Sequence, residues 1–168
     1  MLIFEEQLIV DIPEAFRMMT IDRIDGMYPC DEKPQIILED EETHRFCTFS
    51  LFEGQILFDQ QVEYAIRLIS RTVISLYPSS LLEDVELLNC KEGRCGWFSF
   101  RTMWDQDWLY NVMYIYPVNS RMMFGTMGCG IGDGPGKEQF KAVMGSLQAV
   151  RKSSPHRILG KEPYRCRI

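Results

Sequence analysis

The fold is decided by residues 85–128, which have the sequence VELLNCKEGRCGWFSFRTMWDQDWLYNVMYIYPVNSRMMFGTMG. This stretch contains four runs rich in β-branched and aromatic residues, which favour strands. The runs are 85–90, 96–104, 108–116 and 121–128. The links between them are short, whereas a parallel pair of strands needs a crossover of roughly a dozen residues or more. We therefore predict four consecutive antiparallel strands.

Two segments have the 3.6-residue hydrophobic period of an amphipathic helix. The first covers residues 59–77, with Asp59 as a candidate N-cap and Pro78 just after its end. The second follows a glycine-rich connection at 128–136 and has apolar residues at helical spacing over 140–150. Because each helix is apolar on one side, we expect both helices to cover one face of the sheet.

The N-terminal third of the chain predicts further strands. Residues 2–12 are rich in Leu, Ile and Val, and residues 16–24 are compatible with a second strand. Residues 35–38 and 44–52 form a predicted hairpin, with the four acidic residues 39–42 at its tip, where like charges are best solvated. The predicted fold class is therefore α+β: a single curved antiparallel β-sheet with two amphipathic helices packed on it.

Several short stretches resemble the Mog/PsbP-like family. They are 8–16 (LIVDIPEAF), 96–100 (GWFSF), 110–113 (YNVM), 124–129 (FGTMGC), Phe140 and 146–147 (SL). In order, they are similar to the strand, proline and aromatic start of that family, to its central hairpin, and to its last strand and closing helix. The resemblance covers about residues 2–150. The chain departs from the family pattern in having Phe140 in place of a Trp, and in its basic C-terminal segment.

This resemblance implies a Mog/PsbP-like fold and a binding function rather than catalysis. Members of the family bind a GTPase or belong to a photosynthetic complex, and their DcrB-like relatives chaperone secretion effectors. A shared fold does not transfer a particular function. Only protein binding is therefore carried over to this chain as an expectation.

The aromatic residues of the central strands have two interpretations. One is core packing and cross-strand pairing, because aromatic rings bury a large area. The other is that one face of the sheet exposes them to a protein partner, because Tyr, Trp and Arg anchor many interfaces. The candidate partner-binding residues are Arg101, Trp108, Tyr110, Tyr114 and Tyr116.

The charge of the chain is unevenly distributed. Residues 151–168 carry six Lys or Arg against one Glu, so they have a net charge of +5 within a chain of net charge -6. The first 150 residues therefore sum to -11, which makes nucleic acid an improbable partner because phosphate contacts need clustered cations. We divide the chain into a domain at 1–150 and a basic tail at 151–168. That tail either folds back on the acidic body or reaches a partner.

The N-terminal residues and the lack of long apolar runs predict a cytoplasmic protein, and this location decides how the six cysteines are interpreted. The acidic start of the chain does not fit a signal peptide, and no run approaches the roughly 20 apolar residues of a membrane span. In a reducing compartment we expect free thiols rather than disulfides. We therefore expect no membrane association.

The motifs that suggest catalysis or metal binding are incomplete. The segment 128–138 lacks the spaced glycine and the Ser or Thr of a phosphate-binding loop, having Ile131 and Glu138 there instead. A zinc site would need His44, Cys47, Cys90 and Cys95 to meet, although the two pairs are far apart in the sequence. No complete nucleophile–base set can be assembled.

We therefore expect a non-enzymatic protein-binding or adaptor domain that uses an aromatic sheet face and needs no cofactor or metal. Its partner is another protein, and a homodimer is one form of that interaction. The alternative is a small-ligand-binding protein or an enzyme with a cleft near the glycine-rich loop. In that case the candidate ligand-binding residues are Cys129, Gly130 and Gly132.

Overall fold

The computed structural model describes residues 1–28, 32–83, 85–104 and 106–150. These residues form eleven strands and three α-helices. The strands are β1 (Leu2–Ile3), β2 (Leu8–Ile9), β3 (Arg17–Met18), β4 (Ile36–Asp40), β5 (Arg45–Ile56), β6 (Leu81–Leu82), β7 (Glu86–Asn89), β8 (Arg94–Trp104), β9 (Asp107–Val118), β10 (Arg121–Gly130) and β11 (Gln148–Ala149). The helices are α1 (Ile21–Met27), α2 (Val62–Leu76) and α3 (Gly134–Gly145). The predicted basic tail, 151–168, lies outside the described residues.

Most strands belong to one antiparallel sheet with the order β3-β4-β5-β10-β9-β8-β6, in which β7 also pairs with β8. The predicted run of four antiparallel neighbours is confirmed as β7, β8, β9 and β10. The predicted hairpin is confirmed as β4 and β5. No helix among the described residues has the length and hydropathy needed to cross a membrane.

The two long helices lie on opposite faces of this sheet, so the prediction that both cover one face is wrong. On the α2 face, Val62 and Ile66 are buried together with Phe98. On the α3 face, Phe140 and Met144 are buried with strand residues whose side chains point the other way, such as Trp97, the neighbour of Phe98 in β8. The reason is that β8 and β9 carry apolar side chains on both faces of the sheet, so both faces must be shielded from water.

Helix α2 comes very close to strand β8. A Cβ atom added at Gly96 would lie 2.8 Å from the Val62 side chain and 2.9 Å from that of Ile66. The glycine therefore allows the helix to pack on the strand backbone. Asp59, the predicted N-cap, has a different role, because its carboxylate accepts hydrogen bonds from the Arg94 backbone N–H at 2.7 Å and from the Arg94 guanidinium at 3.1 Å. It thereby ties the start of the helix to β8.

A second, small sheet with the order β1-β2-β11 was not predicted. Residues 2–12 do not form one strand, because Phe4, Glu5 and Glu6 have positive φ angles and reverse the chain between β1 and β2. The expected helix over 140–150 also ends earlier, at Gly145, and β11 then pairs with β2. The N-terminus and the end of the described chain therefore close the α3 face together.

Two further predictions for the N-terminal third are wrong. Residues 16–24 contain only the short strand β3, which is followed by the start of α1. Because α1 has no buried residue, it has no apolar pattern from which the sequence could predict it. The acidic residues 39–42 are not all at the hairpin tip. Glu39 and Asp40 are buried in β4, where Glu39 pairs with Arg23 at 2.8 Å and Asp40 accepts a hydrogen bond from the Thr43 hydroxyl at 2.5 Å.

Aromatic rings lie over two glycines of β10. A Cβ atom added at Gly125 would overlap the ring of Tyr114, its cross-strand partner in β9, and one at Gly128 would overlap the ring of Phe46 in β5. The Tyr114 hydroxyl reaches across β10 and donates a hydrogen bond to the Thr48 carbonyl of β5 at 3.0 Å. Tyr114 thus connects three neighbouring strands inside the core.

The N-terminus of α3 is anchored to β5 by one ion pair. Asp133 caps the helix by accepting a hydrogen bond from the Gly136 backbone N–H at 2.9 Å. The same carboxylate accepts two hydrogen bonds from the Arg45 guanidinium, at 2.5 and 2.8 Å. The Arg45 hydrogen bond is the main cause that lowers the pKa of Asp133. The pair is mostly buried, so it positions the glycine-rich connection as well as the helix.

We expect Gly125→Ala to destabilise the protein by about 2–4 kcal/mol, because the Tyr114 ring must move and its hydrogen bond to Thr48 is lost. The matched control is Gly130→Ala in the same strand, where a Cβ meets no atom within 4 Å. That change should alter stability by less than about 0.5 kcal/mol. Urea unfolding of both variants checks this, and equal stabilities would contradict the role of Tyr114.

We expect Asp133→Ala to lower the free energy of unfolding by about 1–3 kcal/mol at pH 7, because it removes a helix cap and a partly buried ion pair. The folded-state pKa of Asp133 is depressed. The stabilisation is therefore fully present above the ordinary Asp pKa and is lost as the pH falls through the folded-state pKa. Urea unfolding at pH 7 and at about pH 3 measures the difference between wild type and variant, which should shrink in acid. Glu138→Ala, at an exposed position of α3, is the matched control and should change the free energy of unfolding at pH 7 by less than about 0.5 kcal/mol.

Candidate functional site

The predicted aromatic face is not a surface. Tyr110, Tyr114 and Tyr116 are 6%, 0% and 1% exposed, so the expectation that they are available to a partner is wrong. They belong to the core of the α3 face, which α3 and the small sheet cover. Burial raises the pKa of Tyr116 to about 12. Of the other two candidates, Arg101 is exposed and bonds to Glu83 at 2.8 Å. Trp108 is 37% exposed.

The region around Cys129 is closely packed and does not form a ligand-sized cleft. The thiol is 2% exposed, and burial raises its pKa to about 11, so it is protonated at neutral pH. The adjoining cavity measures about 160 Å³, below the roughly 300–1,000 Å³ typical of ligand sites. Gly130 and Gly132 lie beyond it, at the exposed end of β10 and in the following turn. Their role in ligand binding stays a prediction.

The four candidate zinc ligands do not form a site in the described part of the chain, where no cluster of three or more His, Cys, Asp or Glu has the geometry to hold a metal ion. Cys47 is buried, and its pKa is raised to about 12 by that burial. His44 is exposed at the β4–β5 turn, where it has a positive φ angle. Cys90 and Cys95 lie together on the β7–β8 hairpin.

A mostly apolar groove of about 470 Å³ lies on the α2 face, and we call it the α2-face groove. Strands β5, β8, β9 and β10 form its floor, and the end of α1 forms one wall. Its lining residues are Gly26, Met27, Tyr28, Phe46, Phe100, Thr102, Leu109, Asn111, Val112, Met113, Thr126 and Met127. The groove exists because α2 packs mainly on β8 and β9, and α1 has only seven residues.

The polar side chains in the groove are already bonded to one another or to the protein. The Asn111 amide donates to the Thr102 hydroxyl at 2.9 Å. The Thr126 hydroxyl is 2.8 Å from that of Thr48. Tyr28 is half-buried, and this burial raises the pKa of its hydroxyl, while a hydrogen bond with Thr126 acts in the opposite direction. An occupant therefore gains mainly by burying apolar surface, not by forming new polar contacts.

A second depression of about 490 Å³ lies between the β1–β2 turn and the end of β5. Its lining is mostly polar and of mixed charge: Phe4, Glu5, Gln7, Gln35, Leu51, Glu53 and Arg121. These groups are engaged with each other, since Arg121 donates to Gln7 and Gln35 bonds the backbone of Leu51 at 2.9 Å. Several of its polar groups are therefore already bonded within the protein, and its surface is less apolar than that of the α2-face groove.

The sequence did not indicate the α2-face groove. Its lining comes from four strands and the end of α1, so no motif of fixed spacing marks it. The one signal available was the alternation of side chains along the strands. Thr102, Asn111 and Thr126 are polar residues on the otherwise apolar α2 side of their strands, which indicates that no helix packs on them.

No protein-family model matches the sequence, and no curated protein is significantly similar to it. Solved structures do match the fold. The cyanobacterial PsbP protein CyanoP of Synechocystis has a TM-score of 0.56 at 10% identity, with 86% of this chain and 93% of that chain covered. The Ran-binding protein Mog1p of Saccharomyces cerevisiae has a TM-score of 0.56 at 5% identity, with 88% and 93% covered.

A third match is a protein of Bacteroides thetaiotaomicron, with a TM-score of 0.54 and 9% identity. It covers 89% of this chain, which spans only 47% of that longer protein. At these identities the matches concern the fold alone. They agree with the resemblance inferred from residues 2–150 and with the antiparallel α+β architecture described above. This chain has the Mog/PsbP-like fold.

Proposed function

We propose that this protein is a binding domain that takes an apolar, positively charged segment of another protein into the α2-face groove. The observation that carries the proposal is the groove itself, which is apolar and has its polar side chains already bonded within the protein. Met27 at its wall is 44% exposed. Such a surface is stabilised by an occupant that covers it.

The charge of the domain favours a basic partner. The first 150 residues have a net charge of -11, and α1 places the exposed acid Asp22 one turn before the groove wall. Asp25, next to the wall, is already paired with Lys33. The only cation of α1, Arg23, is already paired with Glu39 and Glu41. Lys or Arg residues beside the apolar anchors of a partner would therefore meet a complementary potential.

The fold comparison supports protein binding as a use of this architecture. One of the matching structures is named a Ran-binding protein, and a fold alone does not say which partner this chain has. The groove differs from the surface predicted from the sequence, because Arg101 and Trp108 lie on or near the α3 face. Their part in partner binding stays a separate prediction, which the experiment below distinguishes.

We expect selection from a displayed random-peptide library to enrich peptides with apolar anchors next to Lys or Arg. Thr102→Lys, which puts a charge on the groove floor, should weaken binding of the selected peptides at least about tenfold, because the charge must be desolvated beside a basic ligand. Fluorescence anisotropy of labelled peptides measures the affinity. Circular dichroism of the variant checks that it remains folded.

Met103→Lys is the matched control, since Met103 is the next residue of β8, is 61% exposed and points to the opposite face. Met103 is also the cross-strand partner of Trp108. Loss of binding in Met103→Lys but not in Thr102→Lys would overturn the groove proposal in favour of the Arg101–Trp108 surface. Enrichment of no peptide class would also overturn it.

A small apolar molecule is the second candidate occupant, because the groove volume of about 470 Å³ lies within the range of ligand sites. Native mass spectrometry of purified protein would show such a molecule as a bound mass that denaturation releases. A bound small molecule together with failed peptide selection would replace the first proposal by this one. Light scattering of the same samples tests whether the occupant is a second copy of this chain.

A further inference from the structure

Two cysteines meet at the β7–β8 hairpin. Cys90 follows β7, and its backbone N–H donates to the Gly93 carbonyl at 3.1 Å to close the turn. Cys95 lies in β8 opposite Leu88. Since side chains alternate along a strand, Leu88, Cys90 and Cys95 all lie on the α3 face. Cys90 and Cys95 are diagonal neighbours across the hairpin, and the pKa of each thiol is shifted by the other, so the two side chains are adjacent.

The two thiols have different environments. Cys95 is completely buried beneath the α3 face, whereas Cys90 is only partly buried. The Cys90 thiol donates a hydrogen bond to the Met144 carbonyl of α3 at 3.2 Å. Its pKa is lowered, mainly by the hydrogen bond with Cys95, while burial raises the pKa of Cys95. Cys90 is therefore the thiol that a reagent can reach, and Cys95 lies directly behind it.

We propose that Cys90 and Cys95 form a reversible dithiol–disulfide pair that reacts with a small-molecule disulfide such as oxidised glutathione. The Cys90 thiolate attacks one sulfur of the reagent, forming a mixed disulfide and releasing one reduced thiol. The Cys95 thiolate then attacks the Cys90 sulfur and releases the second reduced thiol. The protein loses two electrons and two protons, and the reagent disulfide gains them as two thiols.

Closing this disulfide has a structural consequence. The Cys90 sulfur no longer has a proton, so its hydrogen bond to the Met144 carbonyl is lost. That bond joins the hairpin turn to the last turn of α3, where Leu88 also lies next to Gly145. The oxidised form therefore exchanges a contact between the hairpin and α3 for a covalent link within the hairpin. The described cysteines Cys47 and Cys129 are both buried and have raised pKa values, so they are not equivalent candidates.

Peptide mapping can identify the bond unambiguously, because Lys91 and Arg94 separate the two cysteines for trypsin. The full chain is treated with oxidised glutathione, alkylated and digested. We expect peptide 72–91, whose one cysteine is Cys90, to be linked to peptide 95–101, whose one cysteine is Cys95. Dithiothreitol should remove the link. Absence of this linked peptide, or linkage of Cys90 to another cysteine, would overturn the proposal.

Variants test the order of the two steps. Cys95→Ala should abolish the linked peptide and accumulate the glutathione adduct on Cys90, whereas Cys90→Ser should abolish both products. Cys129→Ser is the matched control and should form the linked peptide as the wild type does. If Cys95→Ala is poorly folded by circular dichroism, Cys95→Ser replaces it. An adduct on Cys95 in the Cys90→Ser variant would contradict the assignment of Cys90 as the attacking thiol.

Discussion

The central strands are apolar on both faces, and the rest of the structure follows from covering them. In β8, Trp97 points to the α3 face while Phe98 and Phe100 point to the α2 face, and all three are buried. One helix cannot cover two faces, so α2 and α3 lie on opposite sides of the sheet. The separate small sheet of β1, β2 and β11 completes the cover of the α3 face.

The cover of the α2 face is incomplete, and the proposed binding site is the part left open. Helix α2 packs on β8 and β9, where Gly96 lets it approach the backbone, and α1 is too short to cover the remaining strands. The uncovered strands carry the polar residues Thr102, Asn111 and Thr126, whose side chains form hydrogen bonds with one another or with nearby groups. The groove is thus compatible with a stable free protein and still offers apolar area to an occupant.

Contacts between distant segments hold the α3 face in place. Tyr114 lies over Gly125 and bonds to the Thr48 backbone, and Asp133 joins Arg45 to the start of α3. The Cys90 hydrogen bond to Met144 joins the end of the same helix to the β7–β8 hairpin. Helix α3 is therefore fastened at both ends, and a change at the cysteine pair acts on one of the two fastenings. The α2-face groove lies on the other side of the sheet.

The four antiparallel strands over 85–128, the β4–β5 hairpin and helix α2 could all be predicted from the sequence, because short links and hydrophobic period are local properties. Which face each helix covers depends on tertiary packing, and this packing makes Tyr110, Tyr114 and Tyr116 core residues rather than a surface. Periodicity assigns side chains to faces but does not say what covers a face. The groove and the meeting of Cys90 with Cys95 likewise depend on how separate elements pack, and no local pattern of residues records that packing.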